Sequence, residues 1–155
     1  MCETKIVMCL GVVGMDFYEL LESMARANGA YYEGAVPNGK AVTLKSGVNF
    51  FRLPDNGEIQ AAKFSCAPDG RPSLVVIHNA NYNATLSQME GVIKGLVITD
   101  KVNMIKDYIL GSIVVLSTDD AFLGNGGGEL IFCYGVLMDL WGDMLTTLNW
   151  KEEIT

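Results

Sequence analysis

Turn-forming residues interrupt this chain so often between positions 30 and 79 that only short strands fit there. Pro37-Asn38-Gly39, Ser46-Gly47, Pro54-Asp55-Asn56-Gly57 and Pro68-Asp69-Gly70 recur at the spacing of about ten residues typical of strand-and-turn chains. Asn and Gly tolerate positive φ, so Asn38-Gly39 and Asn56-Gly57 are the sharpest turn signals. The runs between them, Tyr31–Val36, Lys40–Leu44, Asn49–Leu53, Glu58–Ser65 and Ser73–His78, read as strands. Leu74 to Ile77 lacks polar alternation, which predicts a strand buried on both faces. Short strands joined by tight turns favour hairpins, so the expected arrangement is a five-strand antiparallel meander.

The flanks carry longer patterns. Lys5 to Val13 is a continuous apolar run and reads as a core strand. Asp16 with Glu19 forms a capping-box pattern, and Phe17, Leu20, Leu21 and Met24 follow on one helical stripe. Asn28-Gly29 ends that helix. Thr85 with Gln88 repeats the capping pattern, and Leu86, Met89, Ile93 and Leu96 predict a second helix. Asp100 opens a third, with Val102, Ile105 and Ile109 on one side, while Leu96–Thr99 also fits a strand. Ile113–Leu116 and Leu130–Leu137 read as buried strands, and a final helix is expected from Asp139 to Trp150. There is no visible linker, internal repeat or low-complexity segment. The expectation is one domain spanning 1–155, of α+β class: an antiparallel sheet, the five-strand meander plus additional core strands, covered by three to four helices.

Composition narrows the function classes. Half of the 155 residues are hydrophobic and 19% are charged. So apolar a chain with so few charges is not intrinsically disordered. It also has apolar side chains to spare for a partner surface, which predicts self-association. The net charge is −7, and Lys and Arg are scattered, so neither duplex DNA nor an anionic membrane is an expected partner. The ten-residue run Ile6–Met15 is too short to span a bilayer. Cys2, Cys9, Cys66 and Cys133 include no CxxC pair, and His78 is the only histidine. That reads as free thiols in a reducing cytoplasm, with no metal site and no cofactor.

Three places carry residue types suited to chemistry. His78 ends the strongest strand and is followed by Asn79-Ala80-Asn81-Tyr82-Asn83. If Cys66 lay on the adjacent strand, a Cys–His pair would form, with Asn79 or Asn81 as oxyanion donors. Asp119-Asp120 follows another strand, and Asp119 is a candidate orienter for such a site. Gly124-Asn125-Gly126-Gly127-Gly128-Glu129 has the glycine content of an anion nest but lacks the Lys and Ser/Thr of a P-loop. A plain hairpin loop fits it as well. Two functional readings result. One is a non-catalytic binding module, a homo-oligomer recognising a protein or small ligand through His78, Asn79, Asn81 or residues 124–129. The other is a small cysteine/histidine-dependent enzyme for acyl transfer or hydrolysis, with Cys66, His78 and Asp119 as its catalytic set.

Overall fold

Every strand pair among the described residues runs parallel, which a meander of hairpins cannot do. The computed structural model describes residues 17–34, 38–116 and 128–147. Among them are helix α1 (Phe17–Ala27), strands β1 (Tyr31–Glu33), β2 (Ala41–Thr43), β3 (Gly47–Arg52), β4 (Glu58–Ser65), β5 (Ser73–His78), β6 (Thr85–Thr99), β7 (Lys101–Val102), β8 (Tyr108–Val115) and β9 (Glu129–Phe132), and helix α2 (Tyr134–Thr147). The expected strand Lys5–Val13 lies outside the described residues.

The strands alternate between two faces. β1, β3, β5, the second half of β6, β8 and β9 stack on one face, and β2, β4, the first half of β6 and β7 on the other. The chain coils, adding one rung to each face per turn, and each coil hydrogen-bonds to the next. That is a short β-solenoid, in which a coil contacts only its neighbours. A parallel pair needs a long crossover, and here a strand of the opposite face supplies it.

The antiparallel α+β expectation is therefore overturned. The turn residues were placed correctly, but each turn is a corner between faces instead of a hairpin. Ser73–His78 and Glu58–Ser65 form with the expected bounds. The two helices expected between Thr85 and Ile109 are the strands β6, β7 and β8. Leu86, Met89 and Ile93 do face one core, but through bends and bulges in a strand. At the bulge between β4 and β6 the register slips beside Gln60, and Ala61 takes a φ of 59°. Leu130–Leu137 divides into β9 and the start of α2, so only two helices are described where three or four were expected.

In-register stacking also exposes a repeat. GVNFFR in β3, SLVVIH in β5, GLVITD in β6 and GSIVVL in β8 lie rung upon rung. Their third and fifth positions point between the two faces, where Phe51, Val75, Ile77 and Val97 meet Ile59, Phe64, Leu86 and Met89. Their second and fourth positions point outward under the helices. There Val48, Phe50, Leu74, Val76 and Ile98 pack against Leu21, Met24 and Ala25 of α1 and Leu140 of α2. Each buried Phe or Leu of this set contributes roughly 1.5–3 kcal/mol. No described helix covers the other face, and its outward residues Glu58, Gln60, Lys63 and Ser65 are exposed.

The first repeat position is small for a steric reason. A Cβ at Gly95 would sit 1.7 Å from the Ser73 carbonyl oxygen, and one at Gly111 1.8 Å from that of Gly95. Their φ values are 146° and 148°, and at both the obstacle is backbone of the preceding rung. α1 is fastened by Glu22, whose carboxylate accepts from Arg52 Nη2 at 2.9 Å and lies 3.5 Å from Arg26 Nε. Burial works to raise the Glu22 carboxyl, but hydrogen bonds from Arg52 and Tyr31 and the charges of Arg52 and Arg26 outweigh it and hold it below the usual range.

Two measurements check this account. Gly95→Ala is expected to abolish the cooperative unfolding transition, a loss above about 4 kcal/mol. Gly39→Ala, at a φ of 68° with nothing within 4 Å, should cost only about 1–2 kcal/mol in urea titration. The Glu22 contribution is complete above the ordinary glutamate range and disappears as pH falls through its lowered folded value. The difference in thermal midpoint between the native protein and Glu22→Gln should thus shrink from neutrality to about pH 3.

Candidate functional site

The last repeat position is where the chemistry gathers. Arg52, His78, Asp100 and Leu116 follow one another along the helix-covered face, at the strand ends. Arg52 is engaged by Glu22 and donates from Nε to the Tyr31 hydroxyl at 3.0 Å. His78 and Asp100 pair directly, with Nδ1 to Oδ1 at 2.7 Å. Asp100 is fully buried and His78 is 4% exposed. The other Asp100 oxygen accepts the backbone N–H of Asn79 at 3.0 Å and of Ala84 at 3.2 Å. A carboxylate taken up as acceptor on both oxygens calls for a proton on His78 Nδ1. In the neutral ring Nε2 then carries the lone pair.

Aromatic rings enclose the imidazole. Tyr18, in the first turn of α1, stacks on it with centroids 3.7 Å apart and planes 7° apart. Tyr82 meets it edge-on at 5.0 Å, and Phe50 does so at 6.3 Å. Tyr82 is 52% exposed and holds a φ of 54°, a left-handed conformation unusual for a bulky residue. It closes a turn through its N–H to the Asn79 carbonyl. Among the described residues no hydrogen-bond partner meets His78 Nε2. No buried side-chain nitrogen or oxygen among them is unpartnered either, so Nε2 is the edge of the ring that reaches solvent.

The polar residues after His78 brace the corner. Asn79 Nδ2 donates to the Pro54 carbonyl at 2.9 Å and to Asn83 Oδ1. Asn79 Oδ1 accepts from the N–H groups of Asn81 and Asn83. Asn81 and Asn83 both donate to Asp55 Oδ1, at 2.8 and 2.6 Å. Those two amides, Asn83 first, hold the exposed Asp55 carboxyl below its usual range.

The structure separates the other sequence candidates. Cys66 follows β4 on the other face, and its Sγ donates to the Val92 carbonyl at 3.8 Å, at the start of the covered-face strands. His78 ends β5 one residue past the Ile77–Thr99 pair, at the far end of those strands and eight residue steps from the Val92 level. β4 and β5 belong to different faces, so the pair expected from an adjacent-strand placement does not meet. Gly128 and Glu129 sit at the Cys66 end as well. Their N–H groups, two donors of the imagined nest, bond to the carbonyls of Ile105 and Asp107 at 3.1 and 2.8 Å. Asp119 and residues Gly124, Asn125, Gly126 and Gly127 lie outside the described residues.

Sequence reasoning missed Asp100, read as a helix start, and with it Tyr18 and Tyr82. The signal lay in aligning SLVVIH with GLVITD, which puts His78 and Asp100 at the same repeat position. Away from His78, an open groove of about 440 Å³ runs between α1, α2 and the corner at Ser46. Arg71 and Asp143 at its rim bond to each other, Nε to Oδ2 at 3.1 Å.

The fold and site thus define a short parallel β-solenoid with a buried aspartate–histidine pair at one corner. No protein-family model matches the chain, and neither does any curated protein or solved structure in the comparisons made. Among the described residues no group of three or more His, Cys, Asp or Glu is arranged to hold a metal ion. No described helix is long and apolar enough to cross a membrane.

Replacing Asp100 tests the geometry. Asp100→Ala orphans His78 Nδ1 and two buried N–H groups, and should cost about 3–5 kcal/mol in urea titration. Asp100→Asn keeps the shape but offers an N–H to the ring, so the imidazole proton is expected to move to Nε2. Nitrogen NMR of His78 reads that exchange directly.

Proposed function

We propose that this chain is a non-catalytic binding module that docks on a second copy of itself through the open end of its solenoid. The observation that carries the reading is the state of β9. Leu130 pairs with Ile109, a fully buried core residue, and Phe132 pairs with Gly111 one step on. Leu130 and Phe132 therefore hold positions that are interior in the rungs before them, yet they are 40% and 67% exposed. A solenoid's terminal rung has neighbours on one side only, so its inward apolar residues need a cap.

Tyr134 and Met138 of α2, at 66% and 44% exposure, continue this surface. Among the described residues β9 pairs with β8 alone, and an edge strand with exposed apolar side chains favours pairing with another chain. Charge supports a second copy as that chain. Between Glu129 and Leu140 the only charged residues are Glu129 and Asp139, so two molecules of net charge −7 meet over almost neutral surface. Contact between two identical ends closes into a dimer and covers β9 in both molecules.

The cysteine/histidine enzyme reading draws support from the His78–Asp100 pair alone, because Cys66 stands at the opposite corner. Sedimentation of the native protein is expected to give a dimer that dissociates on dilution. Phe132→Lys should sediment as a monomer that still unfolds cooperatively, with its thermal midpoint lowered only by the lost association and no longer dependent on protein concentration. A native protein that stays monomeric at every concentration would sink the proposal.

A further inference from the structure

We infer that the corner around His78 Nε2 and Tyr82 is a binding site for a neutral, hydroxyl-bearing ligand of the carbohydrate class. The inference is independent of dimerisation, which uses the other end of the covered face. It starts from a buried polar ring with one edge turned to solvent. Asp100 takes up the Nδ1 side of the ring, so in the neutral imidazole the atom offered outward, Nε2, is an acceptor, and its natural partner is a donor such as a hydroxyl. A ring that served only to bridge its neighbours would have both nitrogens engaged within the protein.

Three further features fix the ligand class. Tyr82 presents a half-exposed ring next to that acceptor, at the 5.0 Å contact, and a flat apolar face suits the C–H face of a sugar ring. Asp55, exposed at the same corner and kept ionised by Asn83 and Asn81, adds an acceptor-only group. Charge argues against an anion: Arg52, the cation in the row, is occupied by Glu22 and Tyr31, which leaves Asp55 and Asp100 dominant. The site therefore offers acceptors and an aromatic face, which matches several hydroxyl donors on a ring carrying no negative charge.

The strained φ of Tyr82 fits the same purpose. A bulky side chain in the left-handed region costs on the order of 1–2 kcal/mol, and here it sets the ring beside the imidazole instead of into a core.

The test is an NMR titration of the native protein. Nitrogen spectra are first expected to show His78 protonated on Nδ1. D-glucose, cellobiose and diacetylchitobiose are then added separately, with inorganic phosphate and tetramethylammonium as charged probes. At least one sugar should produce saturable shifts at His78 Nε2 and the Tyr82 ring. Tyr82→Ala should weaken that binding about tenfold or more with the fold intact, and Tyr82→Phe should retain it. The inference is overturned if no sugar gives a saturable shift, if only phosphate or tetramethylammonium does, or if Tyr82→Ala binds as the native protein does.

Discussion

In-register stacking of parallel rungs is the constraint on which everything else depends. Each covered-face strand bonds to the strand one coil earlier, residue for residue, from Gly47 over Ser73 and Gly95 to Gly111. Such stacking turns position along the strand into a column through the molecule. One column must be small because backbone passes against backbone. Two columns fill the interior and two are covered by helices. The last lies at the corner, where side chains can meet without disturbing the core. Chemistry is confined to that column because it alone combines burial with access to an edge.

The corner also explains why a carboxylate is tolerated at such depth. A buried carboxylate is costly unless its oxygens are satisfied, and Asp100 receives a ring N–H and two backbone N–H groups. The turn from Asn79 to Ala84 brings those backbone donors to it. In turn, Asn79, Asn81 and Asn83 bind Pro54 and Asp55 on the rung below. Structure and site share the same atoms: what steadies the turn also orients the imidazole.

Much of this was legible in the residues, and the failures have physical causes. The helix over Phe17–Ala27 and the strands Glu58–Ser65 and Ser73–His78 followed from local pattern, because capping, periodicity and apolar runs act locally. Strand partnership did not, since Asn-Gly and Pro-Asp-Gly suit a solenoid corner as well as a hairpin. Thr85 to Ile109 misled more deeply. Its apolar residues fall at helical intervals only because bulges near Gln60 and Ser87 and the bend from Gly91 to Gly95 break the alternation of a long strand. His78 stood out as a lone histidine, but its partner was hidden, since Asp100 looks like a helix cap until the rungs are aligned.

β6 runs unbroken from Thr85 to Thr99 and belongs to both faces in succession. At the other described crossings the two walls are joined by turns outside the ladder. At β6 they are one piece of covalent chain, bonded on one flank to β4 and on another to β5 and β8. A load that prises the walls apart must there be borne along the peptide backbone itself. The strand thus serves as the molecule's keel, and the rungs on either side are the parts free to fray.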